Sequence, residues 1–330
     1  MSAALASLRA MALVAACVFS TATFAQDCTS RGDLNDRFCD MDGDELADPP
    51  TDPAQWLDPD TLIFSYTPVE DPAVYEDTFS DLLDHLAQAT GKKIKWFPAD
   101  SYAAEVEAMR SGRLHIAGYA AGAVPYAVNL AGFHPAATMD KIDGSLGYRL
   151  KLIVPADSDI KSVEDLKGKR VAHVAPSSNS GDTAPKVLFK QMGVVPGTDY
   201  EIIYSGKHDN SILGVVNGDY DAAPIADSVL NRMIERGLVD EDALRIVYES
   251  RPFPRTGYGF VYNLKPELAE KIVNAFLDFD FMNSSLFEEF KDTKGFTTVN
   301  YKEDWENIVA IQRETGASYD ESGLSTLKAD

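Results

Sequence analysis

Apolar positions along this chain switch between short continuous runs and stretches with helical spacing. Thr61–Tyr66 reads as a buried strand. Tyr75–Thr90 carries an amphipathic helical pattern that stops at Gly91. Lys93–Phe97 predicts a strand, Ala103–Arg110 a helix closed by Gly112, and Leu114–Ala117 a third strand. This β-α-β-α-β order predicts a parallel sheet covered by helices. Tyr148–Val154 predicts an apolar strand that meets Pro155 and Asp157-Ser158-Asp159, where a second cycle begins. That cycle reads as short helix Val163–Leu166, strand Arg170–Val174, helix Ser180–Met192, strand Tyr200–Tyr204, helix Ser211–Val216 and strand Tyr220–Ala223. Helix Asp227–Arg236 and strand Leu244–Tyr248 complete it; Phe260–Tyr262 and helices after Pro266 end the chain.

The pattern predicts an α/β protein of two units, the second inserted into the first. Residues 61–152 plus 256–330 form the expected first lobe, and 153–255 the second. Each lobe is expected to be a mixed, mostly parallel sheet flanked by helices. Crossings near Leu150–Pro155 and Ser250–Tyr258 would make a hinge. The cleft between the lobes, at the carboxyl ends of the strands, is the default ligand site.

The flanks read differently. In residues 1–25 Arg9 is the sole charge, Ala10–Phe19 is apolar, and Thr23-Phe24-Ala25 is a small-x-Ala cleavage site. This is a signal peptide, and it predicts export to a periplasm. Val14-Ala15-Ala16-Cys17 also resembles a lipobox, so a lipid anchor at Cys17 is the competing reading; soluble export is preferred. Residues 26–60 form an acidic extension. Cys28 and Cys39 there are expected to form one disulfide, as two close cysteines in an exported chain do most simply. Asp40, Asp42, Asp44 and Asp48 surround Gly43, which is what a calcium loop needs, but the spacing is not that of an EF-hand. A solvated acidic linker is the preferred reading, and no metal or cofactor is expected.

Composition narrows the function. Hydrophobic residues make up 45% of the 330 residues, enough for a packed core. No apolar run after residue 25 reaches the ~20 residues that span a bilayer. The formal charge of −22 argues against nucleic acid, which needs a basic face. Yet strand Val171–Val174 runs into Pro176-Ser177-Ser178-Asn179-Ser180-Gly181 and then a helix. A helix start offers free N–H groups, and these hydroxyls and amide add neutral donors suited to a tetrahedral oxyanion. Such a pocket needs no Arg or Lys, so it suits an acidic protein. Plain N-capping is the competing explanation.

Six ordered segments resemble the phosphonate-, phosphite- and phosphate-binding components of ABC importers. They are Ala108-Met-Arg-Ser-Gly-Arg-Leu114, Asp143-Gly-Ser-Leu-Gly-Tyr148, Asp165-Leu-Lys-Gly-Lys-Arg-Val171, Pro176–Gly181, Gly206-Lys-His-Asp-Asn210 and Val216-Asn-Gly-Asp-Tyr-Asp-Ala222. The resemblance covers Thr61 to about Thr315 and implies a type II-like two-lobed binding protein. It implies a monomer that hands its ligand to an inner-membrane permease. Its oxyanion contacts fall on Ser178, Asn179, Ser180, Tyr102, Tyr148 and His208. Tyr66 is a further wall candidate; Glu70, Asp71, Tyr119 and Arg255 are additional ones. Binders of 2-aminoethylphosphonate, the favoured ligand, use two acids on the amine. One matches Asp227, and the second falls near Thr256, which is not an acid. Phosphite, phosphate and another phosphonate therefore stay open.

Other classes fare less well. No Gly-x-Ser-x-Gly elbow, HExxH or Walker sequence is present, and Ser158-Asp-Ile-Lys161 matches SxxK without its companion motifs. The chain is therefore expected not to be an enzyme. A tethered receptor would share the fold and differ only in partner.

Overall fold

The computed structural model describes residues 28–145 and 147–327. The segment read as a signal peptide, with Cys17 and the expected cleavage site, lies outside the described residues, as does Leu146. Eleven strands occur among the described residues: β1 (Thr61–Tyr66), β2 (Lys93–Trp96), β3 (Ile116–Tyr119), β4 (Phe133–Lys141), β5 (Leu150–Pro155), β6 (Arg170–His173), β7 (Glu201–Tyr204), β8 (Ala223–Ala226), β9 (Leu244–Glu249), β10 (Gly257–Val261) and β11 (Thr293–Thr298). They form a six-stranded sheet β11-β4-β10-β3-β1-β2, a three-stranded sheet β8-β5-β9 and a pair β6-β7. A parallel bridge from Val171 to Ala222 links β6 to the segment before β8.

The β-α-β-α-β start is present as β1, helix Ser80–Thr90, β2, helix Tyr102–Arg110 and β3, with β1 parallel to both β2 and β3. The sheets as a whole are mixed but not mostly parallel. The β1-β2, β1-β3 and β6-β7 pairs are parallel, whereas β3-β10, β4-β10, β4-β11, β5-β8 and β5-β9 are antiparallel. Chain insertion explains the difference. The strands beside the crossings, β5 and β10, run against their neighbours instead of following a helical crossover.

Helix Val124–Ala131, β4 and β11 have no counterpart in the sequence reading. Every residue of Val124–Ala131 is buried, so it has no polar face and no amphipathic period. β4 includes Pro135 and two alanines. β11 is an edge strand with one large apolar residue, Phe296. Tyr75–Thr90 is interrupted at Phe79, a fully buried ring that packs among Phe64, Tyr66 and Trp96. β8 begins at Ala223, where the sequence pattern placed the strand's end.

The extension is folded onto the body. Cys28 and Cys39 are joined, with Cα atoms 5.5 Å apart. Leu34, Phe38 and Ala47 are buried, Phe38 packs edge-on to Tyr262, and Asn35 N–H donates to the Asn129 carbonyl. Asp40 is buried rather than solvated, and its carboxylate accepts N–H bonds from Gly43 and Glu45. The Asp40, Asp42 and Asp44 carboxylates converge within 4.8 Å. The solvated-linker expectation therefore fails at Asp40, on which the loop closes, while Asp42 and Asp44 are exposed.

Two crossing segments run side by side. Tyr148 and Phe253 exchange backbone hydrogen bonds of 2.9 and 2.7 Å. Gly147 sits at φ +74°, and a Cβ there would meet the Phe253 carbonyl at 1.9 Å, so this close approach needs glycine.

Candidate functional site

After β6 the chain turns through Pro176–Ser178 and enters a wide turn, Asn179–Thr183, that continues as helix Ala184–Gln191. Ser178 is extended, at φ −70° and ψ 119°, and its Oγ accepts the Gly181 N–H at 3.2 Å. Its carbonyl accepts the Asp182 and Thr183 N–H groups, both at 3.0 Å. Gly181 is required: a Cβ would lie 2.4 Å from Val174 Cγ2. Capping is thus real, yet it uses only Ser178 of the polar run.

The rest of the run faces a small cavity of about 60 Å³ between the sheets. Tyr66 enters from the end of β1, Tyr102 from the start of its helix, Ala120–Gly122 from beyond β3, and Tyr148 and Thr256 from the two crossings. Ser178, Asn179, Ser180 and His208 form the opposite side. Eight of the nine residues singled out from the sequence therefore line one cavity. Gly122 backs directly on the Ser177 carbonyl, 2.2 Å from where its Cβ would be.

The hydrogen bonds set which protons point outward. Ala226 N–H donates to His208 Nδ1 at 3.2 Å, so the neutral ring carries its proton on Nε2. Nε2 lies 3.3 Å from Ser178 Oγ. Ser178 Oγ already accepts from Gly181, which leaves its own proton free to donate. Asn179 Nδ2 donates to the Tyr148 hydroxyl at 3.1 Å, leaving that phenol proton free too. Tyr102 OH, Ser180 Oγ and Asn179 Oδ1 are buried without a well-formed hydrogen bond within the protein. Buried polar atoms are ordinarily satisfied, so several unmet ones around one cavity mark a place for a polar ligand.

Charge here follows burial. Desolvation holds His208 down to about 3, with Glu70 pulling the other way, so the ring is neutral. Burial pushes the Tyr66, Tyr102 and Tyr148 phenols up, so each stays a donor. Two guanidinium groups also line the cavity, Arg232 and Arg255. Arg232 is paired with Glu70 at 2.5 Å and Glu289 at 3.0 Å, and Arg255 with Asp292 at 3.2 Å. Burial alone would raise Glu70, but Arg232, Tyr75 and Arg236 outweigh it and hold its carboxyl below the usual range.

Asp227 is not brought to the cavity. Its carboxylate accepts the Arg149 N–H at 3.0 Å, and its own N–H donates to the Arg149 carbonyl. Among the other candidates, Glu70 holds Arg232 behind the wall, Asp71 caps a short helix, and Tyr119 donates to the Glu105 carbonyl. Arg232 was missed. It lies four residues beyond Ser228 on helix Asp227–Glu235, and both line the cavity. That i, i+4 spacing was the available signal.

Beneath the helix start a second polar cluster is fully bonded. His173 Nδ1 meets Asp182 Oδ1 at 2.9 Å, and Nε2 meets the Tyr200 hydroxyl at 2.8 Å. Lys186 donates to Asp182 at 2.7 Å and to the Tyr204 hydroxyl at 3.0 Å.

Comparison with known proteins identifies the family. Residues 64–305 match the family described as ABC transporter, phosphonate, periplasmic substrate-binding protein. The phosphate-import protein PhnD of Mycolicibacterium smegmatis is 30% identical over 233 residues, covering 66% of this chain and 71% of that protein. The phosphonates-binding periplasmic protein of Escherichia coli is 25% identical over 222 residues, covering 66% of each. Two solved structures share the fold. A binding component of an ABC phosphonate transporter from Pseudomonas aeruginosa has TM-score 0.69 at 22% identity, covering 81% of this chain and 94% of that one. PhnD1 of Prochlorococcus marinus in complex with methylphosphonate has TM-score 0.69 at 19% identity, covering 78% and 99%. The two-lobed α/β architecture is that of type II-like periplasmic binding proteins, and this chain belongs to the family of periplasmic substrate-binding components of phosphonate ABC transporters.

Proposed function

We propose that this protein captures a small phosphorus oxyanion without an amine, of the methylphosphonate or phosphite kind, and delivers it to an inner-membrane permease. The ligand would sit between lobes 61–152 plus 256–330 and 153–255, with the protein acting as an exported monomer. One observation carries the reading: neutral donors from both sides, the Ser178, Ser180, Tyr102 and Tyr148 hydroxyls, converge on one small cavity, with His208 Nε2–H behind Ser178 Oγ. Hydroxyl donors hold an oxyanion by charge-assisted bonds while adding no charge. An amine-bearing ligand such as 2-aminoethylphosphonate fits less well, because none of the described wall residues carries a carboxylate and Asp227 is occupied by Arg149. The apolar wall residues Val69, Met139, Val229 and Phe290 suit hydrogen or methyl on phosphorus. Thr256, beside the Tyr66 hydroxyl, is read as a wall residue rather than an amine contact.

Calorimetric titration of the mature protein with methylphosphonate, phosphite, phosphate and 2-aminoethylphosphonate at one pH and salt concentration tests this. Tight binding of methylphosphonate or phosphite is expected. Tightest binding of 2-aminoethylphosphonate would overturn the amine-free reading, and no heat with folded, ligand-stripped protein would overturn the oxyanion reading.

A further inference from the structure

The cavity presents an electrostatic mismatch to a doubly charged ligand. Its two guanidinium groups are each already engaged by carboxylates, Arg232 by Glu70 and Glu289, and Arg255 by Asp292. Arg236, one turn beyond Arg232, bonds the same two glutamates, so that pair of arginines is matched by a pair of acids. The remaining side-chain donors are neutral: three phenols, three serine hydroxyls, the Thr256 hydroxyl, the Asn179 amide and a histidine whose Nδ1 is filled by a backbone N–H. Transferring an ion from water into such a site costs an amount that rises with the square of its charge, so a dianion is penalised about four times as heavily as a monoanion. The wall also holds an acceptor. Asn179 donates through Nδ2 to Tyr148, which leaves Oδ1 buried with no well-formed partner. An acceptor is a poor neighbour for a fully ionised oxyanion and a good one for a P–O–H group.

We propose that the site takes its phosphorus oxyanion as the monoanion, with one oxygen still protonated and that proton donated to Asn179 Oδ1. This rests on the ligand class proposed above. Discrimination between protonation states then belongs to the cavity: a ligand with a low second pKa is disfavoured at neutral pH even when its shape fits. No group facing the ligand supplies the proton instead. The Tyr66, Tyr102 and Tyr148 phenols stay protonated because burial raises them, and His208 stays neutral because burial lowers it. Glu105, one turn beyond Tyr102 on the same helix, is not among the residues lining the cavity, and full burial raises its carboxyl well above the usual range. Asp209, facing Glu70 from the helix that starts at His208, bonds the Asp71 N–H, while Asp227 bonds the Arg149 N–H.

The test is calorimetry with methylphosphonate and with phosphite from pH 5.5 to 8.5, each probe's second ionisation being titrated directly in the same buffers. That ionisation is roughly pH 6 for a phosphate monoester. Below its own second pKa each probe should bind with a constant Kd; above it, Kd should rise about tenfold per pH unit. About one proton should be taken up on binding at the alkaline end, read from buffers of different ionisation enthalpy. The break should move with the probe. A Kd that is flat or falls through that pH, or a break at one fixed pH for both probes, would overturn the proposal. Failure of both probes to bind at any pH would instead overturn the ligand class itself, and this inference with it.

Discussion

Two buried polar clusters lie on the two sides of one turn, and they differ in how completely they are bonded. His173, Asp182, Lys186, Tyr200 and Tyr204 use one another on every side: Asp182 alone accepts from the lysine, a phenol and the imidazole. Asn179 and Ser180, a few residues away, and Tyr102 on its own helix each leave a hydroxyl or an oxygen without a well-formed partner. His173, Asp182 and Tyr200 in the one and Ser178, Asn179, Ser180 and Tyr102 in the other are all buried, so exposure alone does not separate the clusters. The difference separates support from recognition. A closed network fixes the turn's position, whereas unmet valences are kept for something that arrives from outside.

Breaking the closed cluster should have the largest effect. Asp182→Ala would leave the buried His173 and the half-buried Lys186 without their shared acceptor. We expect a loss of about 3–5 kcal/mol in unfolding free energy, measured by urea denaturation. A wild-type midpoint would mean that this cluster does not support the turn. The open cluster should respond the other way. Ser178→Ala with Ser180→Ala should weaken ligand binding by several kcal/mol, at ~1.5–3 kcal/mol for each charge-assisted bond. Its cost to stability should stay near the ~1 kcal/mol of a lost N-cap. Calorimetry and denaturation on the same sample check both; affinity equal to wild type would reduce the serines to caps.

Glu105 sharpens the contrast. It is fully buried with neither carboxyl oxygen in a well-formed hydrogen bond, and desolvation raises it well above its ordinary 4.5. A raised carboxyl contributes stability that is present below the unfolded-state pKa and lost as pH rises toward the folded-state value. Glu105→Gln should therefore be more stable than wild type at pH 7 and should flatten the fall in stability above pH 4.5. An unchanged pH profile would show that Glu105 ionises freely. Glu70, depressed by its arginines, has the opposite sign: its contribution is present above 4.5 and is lost as pH falls through the folded-state value. The smallest effect is expected at Asp227. Asn can still accept the Arg149 N–H, so Asp227→Asn should change affinity by less than about 0.5 kcal/mol, and equally for methylphosphonate and 2-aminoethylphosphonate. A selective loss for the aminated ligand in parallel titrations would restore Asp227 as an amine contact.

Much of the architecture was legible because its signals are local. Gly91 ends its helix in the left-handed region at φ 72°, and Ser178 caps the turn that its neighbours predict. The alternation of apolar runs located β1, β2, β5, β6, β7 and β9 to within about two residues. Helix Val124–Ala131 was illegible for a physical reason: burial on all sides removes the periodicity that identifies a helix. β11 pairs only with β4, so its strand character comes from a partner remote in sequence.

The site divides along the same line. The sequence determined the donor-rich turn, because capping and helix-start chemistry involve residues three or four apart. It also put Tyr66 at the end of β1 and Tyr102 just before a helix; Tyr148 lies two residues before β5, and His208, read as lying between strand Tyr200–Tyr204 and helix Ser211–Val216, begins helix His208–Val216. Only the tertiary structure decided that Arg232 stands in the cavity wall, and that Glu70, 162 residues earlier in the chain, neutralises it. It likewise decided that Asp227 turns to the Arg149 backbone. Ion pairs and carboxylate orientation depend on which groups the two lobes bring within about 4 Å of each other, and no local spacing encodes that distance.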